Sequence, residues 1–371
     1  MKLKLSFIIL LNLITLFSLA QDTVAIFASK KDTGRYQRKT IAFPVLASAP
    51  ETSLQLGAMV THFFKLGNHH HITRTSYVQA IGSFTLKKQF QASINHHIFF
   101  DREKYVSTGN YTFSRFPENF YGVGNESPKD SQETVSYYSI NISERLLRRV
   151  YRKLFIGVQY SFVRLFDVRF EAPDRFTSQT IYGKNGGNVS GLGPSIIWDN
   201  RSSVLNSFSG AYIELSAYFN DRSLGSDFNF ESYILDVRKY YSLRNKKGVV
   251  ALQAYGTFHT GHTPFRQLSM LGGSSIMRGY YAGRYRDNDL VAFQAEYRSP
   301  LVYKEKWGFV VFAAAGQVSP SPDKMNLNMF KPTYGGGLRR VLNKKENLNL
   351  RIDVAFGNNT SAVYLNIAEA F

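Results

Sequence analysis

The chain has no cysteine among its 371 residues, which excludes both disulfides and a thiol-linked lipid anchor. Long apolar runs are also missing. Beyond the first twenty residues nothing approaches the ~18 consecutive apolar side chains of a spanning helix, so a helical membrane bundle is excluded. Acidic residues are scarce, 27 against 45 Lys and Arg, for a formal net charge of +18. A basic chain raises the question of nucleic acid, but the Lys and Arg are dispersed and form no domain-sized cluster. Lumenal charge and contacts with anionic lipid headgroups suit that dispersion better, and no nucleic-acid partner is expected.

The N-terminus reads as an address. Lys2 and Lys4 precede an apolar stretch over 5–19, and Ser18-Leu19-Ala20 offers small residues where a signal peptidase cuts. Residues 1–20 are therefore expected to be a cleavable signal peptide, since the stretch is short for a membrane anchor and Gln21-Asp22 follows at once. Residues 21–38 form a short periplasmic segment, and 39–371 the body of the protein. An exported chain without spanning helices is either soluble or a closed barrel, the one strand architecture that satisfies every backbone group in lipid. A mean hydropathy of −0.22 with 15% aromatics fits a barrel whose strands show lipid only every second residue.

Alternating runs bounded by turn residues predict sixteen strands, at 39–46, 53–66, 74–86, 89–100, 104–116, 134–146, 153–166, 188–199, 210–219, 228–242, 248–260, 289–300, 308–317, 333–341, 347–357 and 361–371. Connections after odd strands include the long 117–133, 167–187 and 261–288, whereas those after even strands are mostly short, the asymmetry of an outer-membrane barrel. Within 347–357, Leu348, Leu350, Ile352, Val354 and Phe356 oppose Arg351 and Asp353. Ile213, Leu215, Ala217 and Phe219 oppose Glu214 and Ser216 in the same way. The final stretch puts Val363, Leu365, Ile367 and Phe371 on one face, broken only by Glu369, and predicts a closing strand that runs to a terminal ring at the headgroup level. Tyr364, Ile367 and Phe371 are the candidate C-terminal assembly signal. The fold class is all-β: a 16-stranded antiparallel transmembrane β-barrel of a Gram-negative type outer membrane.

The 261–288 connection contains Leu271-Gly-Gly-Ser-Ser-Ile-Met-Arg-Gly-Tyr-Tyr281. Its Ile-Met-Arg-Gly-Tyr core resembles the Val-Arg-Gly-Phe loop of the BamA/TamA-type outer-membrane assembly barrels, the bacterial surface antigen family. Three further stretches are similar to that family: Trp198-Asp-Asn-Arg201 with Gly210, Ala295-Glu-Tyr-Arg-Ser-Pro300, and Ala47-Ser-Ala-Pro-Glu-Thr52. The resemblance runs from about Lys39 to Phe371. It implies a long sixth extracellular loop folded into the lumen and pinned by Arg278, Gly279 and Tyr280 with Glu296 as partner, and a turn built on Asp199, Arg201 and Gly210. A buried guanidinium needs a carboxylate, and Glu296 is in phase with Gln294 and Arg298 on one face. The opposing reading leaves Arg278 as a solvated loop residue.

Two departures stand out. The family's Phe-x-Asp-x-Gly is here Phe312-Ala-Ala-Ala-Gly316, with Ala314 at the acid's position. Either Glu296 holds Arg278 alone or another lumenal carboxylate substitutes, and a weaker lock is expected. The 21–38 segment is also too short to fold as one of the family's polypeptide-transport-associated domains.

Other chemistry is thin. His69-His70-His71 and His259-x-x-His262 lack companion ligands at metal spacing, so neither metal nor cofactor is expected. Tyr121-Gly-Val-Gly-Asn125 lacks the strand-to-helix context of a phosphate loop. His96 lies three residues from Ser93, on the opposite face of a strand, so no catalytic set forms between them and no enzyme activity is expected. What remains is assembly or export of other proteins, or of lipid, at the outer membrane, against a closed pore or partner scaffold. Expected partners are outer-membrane lipids, the assembly machinery for its own insertion, and client proteins or a separate periplasmic chain.

Overall fold

The structure, a computed structural model, describes residues 38–371 except 68–72, 173–174, 177–178, 205, 244–247, 304 and 344–347. The expected signal peptide, nearly all of the 21–38 segment, and His69 to His71 thus lie outside the described residues.

Sixteen antiparallel strands close a barrel. They are β1 Lys39–Ala49, β2 Ser53–Phe64, β3 Ser76–Thr85, β4 Phe90–Phe99, β5 Tyr105–Arg115, β6 Glu133–Tyr151, β7 Leu154–Phe170 and β8 Gly187–Asp199, then β9 Gly210–Asn220, β10 Phe230–Ser242, β11 Val249–Gly261, β12 Asp289–Arg298, β13 Trp307–Ser319, β14 Lys331–Asn343, β15 Leu348–Gly357 and β16 Thr360–Ile367. The strand count and order agree with the alternation. The differences are of length. β6 and β7 reach 19 and 17 residues and rise above their neighbours. The long connections also carry structure of their own: Glu118–Phe120 pairs with the start of β6, and Ser269–Leu271 pairs with Tyr285–Asp287.

The faces are inside-out relative to a soluble sheet. Gln159, Glu214, Asp236, Gln253, Gln294, Glu296, Arg351 and Asp353 are buried, whereas Val60, Ile94, Leu215, Phe293, Val311, Leu338 and Phe356 are exposed. That inversion is what a lipid-facing exterior and a polar interior require.

Barrel closure is uneven. β1 pairs with β2 along its whole length, from Lys39↔Phe63 to Ala49↔Ser53. Its other edge meets β16 at a single pair, Ser48↔Leu365. One cause is the early end of β16: the strand stops at Ile367 and Ala368 turns to φ +70°. Another is Pro44, which gives β1 one donor fewer, a residue sheets tolerate at an edge.

The end of the chain corrects the sequence expectation. The strand does not continue to residue 371. The positive φ at Ala368 swings the tail inward, so that Glu369 accepts from Arg339 Nε at 2.7 Å and Asn349 Nδ2 at 2.9 Å instead of interrupting an apolar face. Phe371 is buried against Tyr240 and Ala251 rather than set in the headgroup layer, and its main-chain oxygen accepts from Arg298 Nη2 at 2.8 Å. Alternation gives the face of a residue only while the backbone stays extended.

Candidate functional site

Arg278 is almost wholly buried in the polar interior, 1% exposed. Its Nη2 donates to Glu296 Oε2 on β12 at 2.5 Å and its Nη1 to Asp353 Oδ2 on β15 at 2.7 Å. The guanidinium carbon lies over the Phe312 ring of β13, 3.5 Å from its centroid. Glu296 was expected from sequence. Asp353 is the substitute carboxylate: the acid missing at Ala314 is supplied two strands away. Of the two alternatives the sequence left open, the second is the one present: Arg278 has two acids, Glu296 and Asp353. Gly337 on β14 makes this possible, because a Cβ there would overlap Asp353 Oδ1.

The same two acids gather three further arginines. Arg298 Nε reaches Glu296 Oε1 at 2.8 Å, Arg339 Nη1 reaches Asp353 Oδ1 at 2.5 Å, and Arg351 Nη1 reaches Asp353 Oδ2 at 3.2 Å. Arg351 also donates to the carbonyl of Ser274, so the 262–288 segment is held at a second place. Charge-assisted hydrogen bonds of this kind are about twice as strong as neutral ones. Buried as they are, they fix position more than they add stability.

Beside Arg278, the backbone turns at Gly279, whose φ of +113° suits glycine and whose Cβ would stand 3.0 Å from the Phe356 main chain. Gly279 N donates to the Tyr364 hydroxyl on β16 at 3.0 Å, and that hydroxyl donates to the Tyr280 carbonyl at 3.1 Å. Thr360, also on β16, donates to the Gly279 carbonyl, and the Tyr280 ring hydroxyl accepts from Asn358 N. Two residues on, Ala282 N donates to Glu51 Oε1 in the β1–β2 turn at 2.5 Å. Residues 279–282 thus hold both flanks of the weakest strand junction, β16 on one side and the end of β1 on the other.

The base of the segment has its own anchor. Glu118 accepts from Arg266 Nη1 at 2.9 Å, from Arg286 Nη1 at 3.3 Å and from the Tyr137 hydroxyl at 3.1 Å. Phe120, Phe176 and Phe265 pack around this cluster. Burial lowers the Arg286 guanidinium's pKa against the opposing pull of Glu118. In the neighbouring turn, burial pushes the Asp287 carboxyl up to about 6, the Asn288 amide opposing and Asp289 adding to it.

The turn motif gathers at the opposite end. Arg201 Nε donates to Asp199 Oδ1 at 2.9 Å and stacks on Tyr212, while Arg74 brings in a second cation, 3.1 Å from Asp199 Oδ2. Gly210, at φ +99°, opens β9 beside Asn200. Tyr364 and Phe371 are buried in separate places and Ile367 packs with Leu46, Leu350 and Leu365, so the three signal candidates do not meet. His259 is spent on Asn288 O and Ser269, and the His262 ring lies tilted against Tyr182, with centroids 4.6 Å apart. No cluster fit to hold a metal occurs among the described residues. Sequence reasoning missed Asp353, Glu118, Glu51 and Arg286. Parity marks Asp353 as inward, but nothing local says that its height matches Arg278.

Fold and site together define an outer-membrane β-barrel whose long connection between β11 and β12 is ion-paired to Glu296 on β12 and Asp353 on β15. Residues 63–371 match the Omp85 superfamily domain, and the chain belongs to that superfamily. A comparison of the sequence with curated proteins finds no match. Among solved structures, it is similar to BamA from Haemophilus ducreyi lacking POTRA domains 1–3, at 14% identity and a TM-score of 0.58 over 90% of this chain and 70% of that one. It is also similar to CdiB from Acinetobacter baumannii (12% identity, TM-score 0.56, 89% of this chain and 59% of that) and CdiB from Escherichia coli (9%, 0.59, 92% and 63%). The chain thus spans about three-fifths of the CdiB chains' length.

Proposed function

We propose that this barrel assists the insertion or export of other proteins, or of lipid, at the outer membrane, by opening between β1 and β16. The observation that carries the reading is the single Ser48↔Leu365 pair at that junction. An unpaired strand edge is a template for an incoming strand, and β-augmentation would let a client strand add to β1. Arg278, Gly279 and Tyr280, folded into the lumen with Glu296 and Asp353, act as the lock that holds the junction shut at rest. Asp199, Arg201 and Gly210 brace the periplasmic rim, and Tyr364, Ile367 and Phe371 serve as the signal for the barrel's own assembly. Residues 1–20 direct export and 21–38 remain in the periplasm, where a separate chain can deliver clients. We assign the barrel no catalytic step.

A second reading, a solute pore, draws on an internal space of mixed lining, with Asn220, Thr257, Ser275 and Arg266 beside Ile234 and Leu290. The two part in quantitative proteomics of outer membranes after depletion. Loss of a defined set of barrels or surface proteins supports assembly or export and names the clients. An unchanged membrane proteome with altered solute uptake favours the pore.

A further inference from the structure

Parity fixes the outward face of β4, β5 and β6. Ile94, Tyr111, Phe113 and Leu146 are exposed there, while Ser93, Phe99, Val106, Ser114, Ser139 and Leu147 are buried. His96, Ser107 and Glu144 share the outward parity, so three polar side chains stand on a face meant for lipid. They form one group. His96 Nε2 lies 2.8 Å from Ser107 Oγ and 3.2 Å from Glu144 Oε1. Ser107 donates to Glu144 Oε1 at 2.8 Å, and the Tyr111 hydroxyl donates to Glu144 Oε2 at 2.7 Å. Gly109 stands opposite both His96 and Glu144 in the ladder, leaving room for the two to meet. The Glu144 side chain is 34% exposed. A lipid-facing charge is destabilising, and more so with depth, so this group sits where apolar residues would cost the barrel less.

The register sets three kinds of surface in line along β5 and β6. Toward the periplasmic end Tyr105 faces Arg148, and Arg148 stands exposed without an ion pair among the described residues. Next come Ser107 opposite Leu146 and Gly109 opposite Glu144. Beyond them Tyr111 and Phe113 border an apolar groove floored by Ala58, Ala80, Gly82 and Ala92. Same-face residues follow one another at about 7 Å along a strand. Cation, hydrogen-bonding group and apolar groove therefore succeed one another in the order, and on the scale, of phosphate, glycerol ester and acyl chain.

We propose that this face binds one glycerophospholipid of the periplasmic leaflet. Its phosphate pairs with Arg148, and one acyl chain lies in the alanine-floored groove. The glycerol-ester region rests against His96, whose Nε2 is held by Ser107 and Glu144. The arrangement binds and does not cleave. The Ser107 proton is committed to the Glu144 carboxylate rather than to the His96 ring, and the strand N–H groups belong to the ladder and form no oxyanion hole. The site is independent of the β1–β16 junction and stands or falls apart from it.

The test is native mass spectrometry of the full-length protein, delipidated and titrated with a phosphatidylglycerol and with the diacylglycerol of the same chains. The expected result is one phosphatidylglycerol retained per barrel and no retained diacylglycerol. Arg148→Gln and Ala92→Leu should each weaken retention about tenfold, and Arg148→Lys should restore most of it. The characteristic heat-dependent gel shift confirms that each variant is a folded barrel. Retention unchanged in both Arg148→Gln and Ala92→Leu, or equal retention of the diacylglycerol, overturns the proposal.

Discussion

Arg278 and Asp353 are 75 positions apart in the chain and 2.7 Å apart in the barrel. Their pairing ties the long connection between β11 and β12 to the strand next to the last. With Glu296 it surrounds one guanidinium with two carboxylates, in an interior where an unpaired charge is costly.

Arg278→Ala should lower the temperature at which the folded barrel converts to the unfolded form on semi-native gels. Breaking a buried pair costs about 3–5 kcal/mol. Here the low end applies, because Arg298, Arg339 and Arg351 still reach Glu296 and Asp353. Asp353→Asn should act in the same direction. An unchanged conversion temperature for Arg278→Ala would contradict the lock.

Tyr364→Phe removes a hydroxyl that accepts from Gly279 N and donates to the Tyr280 carbonyl. The loss of buried partners predicts about 1–3 kcal/mol. Because Glu51 holds the other flank through Ala282, Tyr364→Phe and Glu51→Ala should couple. A double-mutant cycle on the gel conversion would show a non-additive term, and strict additivity would separate the two contacts.

The Asp287 carboxyl, raised by burial to about 6, predicts a pH dependence. A carboxyl whose folded value lies above its unfolded one favours the docked state at low pH. That contribution is lost as pH rises from about 4 through 6. Hydrogen exchange of the 262–288 segment should therefore be slower at pH 5 than at pH 7.5, after correction for intrinsic rates. Asp287→Asn should flatten the difference, and a pH dependence that survives this substitution would assign it to another group.

Removing Phe371 takes away the ring packed on Tyr240 and Ala251 and the oxygen that accepts from Arg298. If these residues signal assembly, the truncated protein should accumulate in the periplasm. Normal insertion, measured by membrane fractionation, would contradict that role.

Much of this was legible because a barrel strand repeats every two residues. Parity placed Glu214, Gln294, Glu296, Arg351 and Asp353 inside and found all sixteen strands. The same rule failed at Ala368, where one positive φ turned Glu369 and Phe371 away from the face that alternation gave them. Parity also says nothing about height. Asp353 and Arg278 meet because the connection carrying Arg278 reaches across to β15, and His96 meets Ser107 and Glu144 only through cross-strand register. Ser93 and His96 face opposite ways, as three-residue spacing requires, yet His96 found another serine on the next strand.

The central claim is that β1 and β16 part during function, and a chain without cysteine offers a clean way to ask. Ser48→Cys with Leu365→Cys places two thiols at the one residue pair joining these strands. The measurement is the level of client outer-membrane proteins in cells whose only copy is the double variant, under oxidising and then reducing conditions. The account predicts that the oxidised, cross-linked barrel reproduces the depletion phenotype and that reduction restores client levels. Full client levels with the junction covalently closed would contradict it.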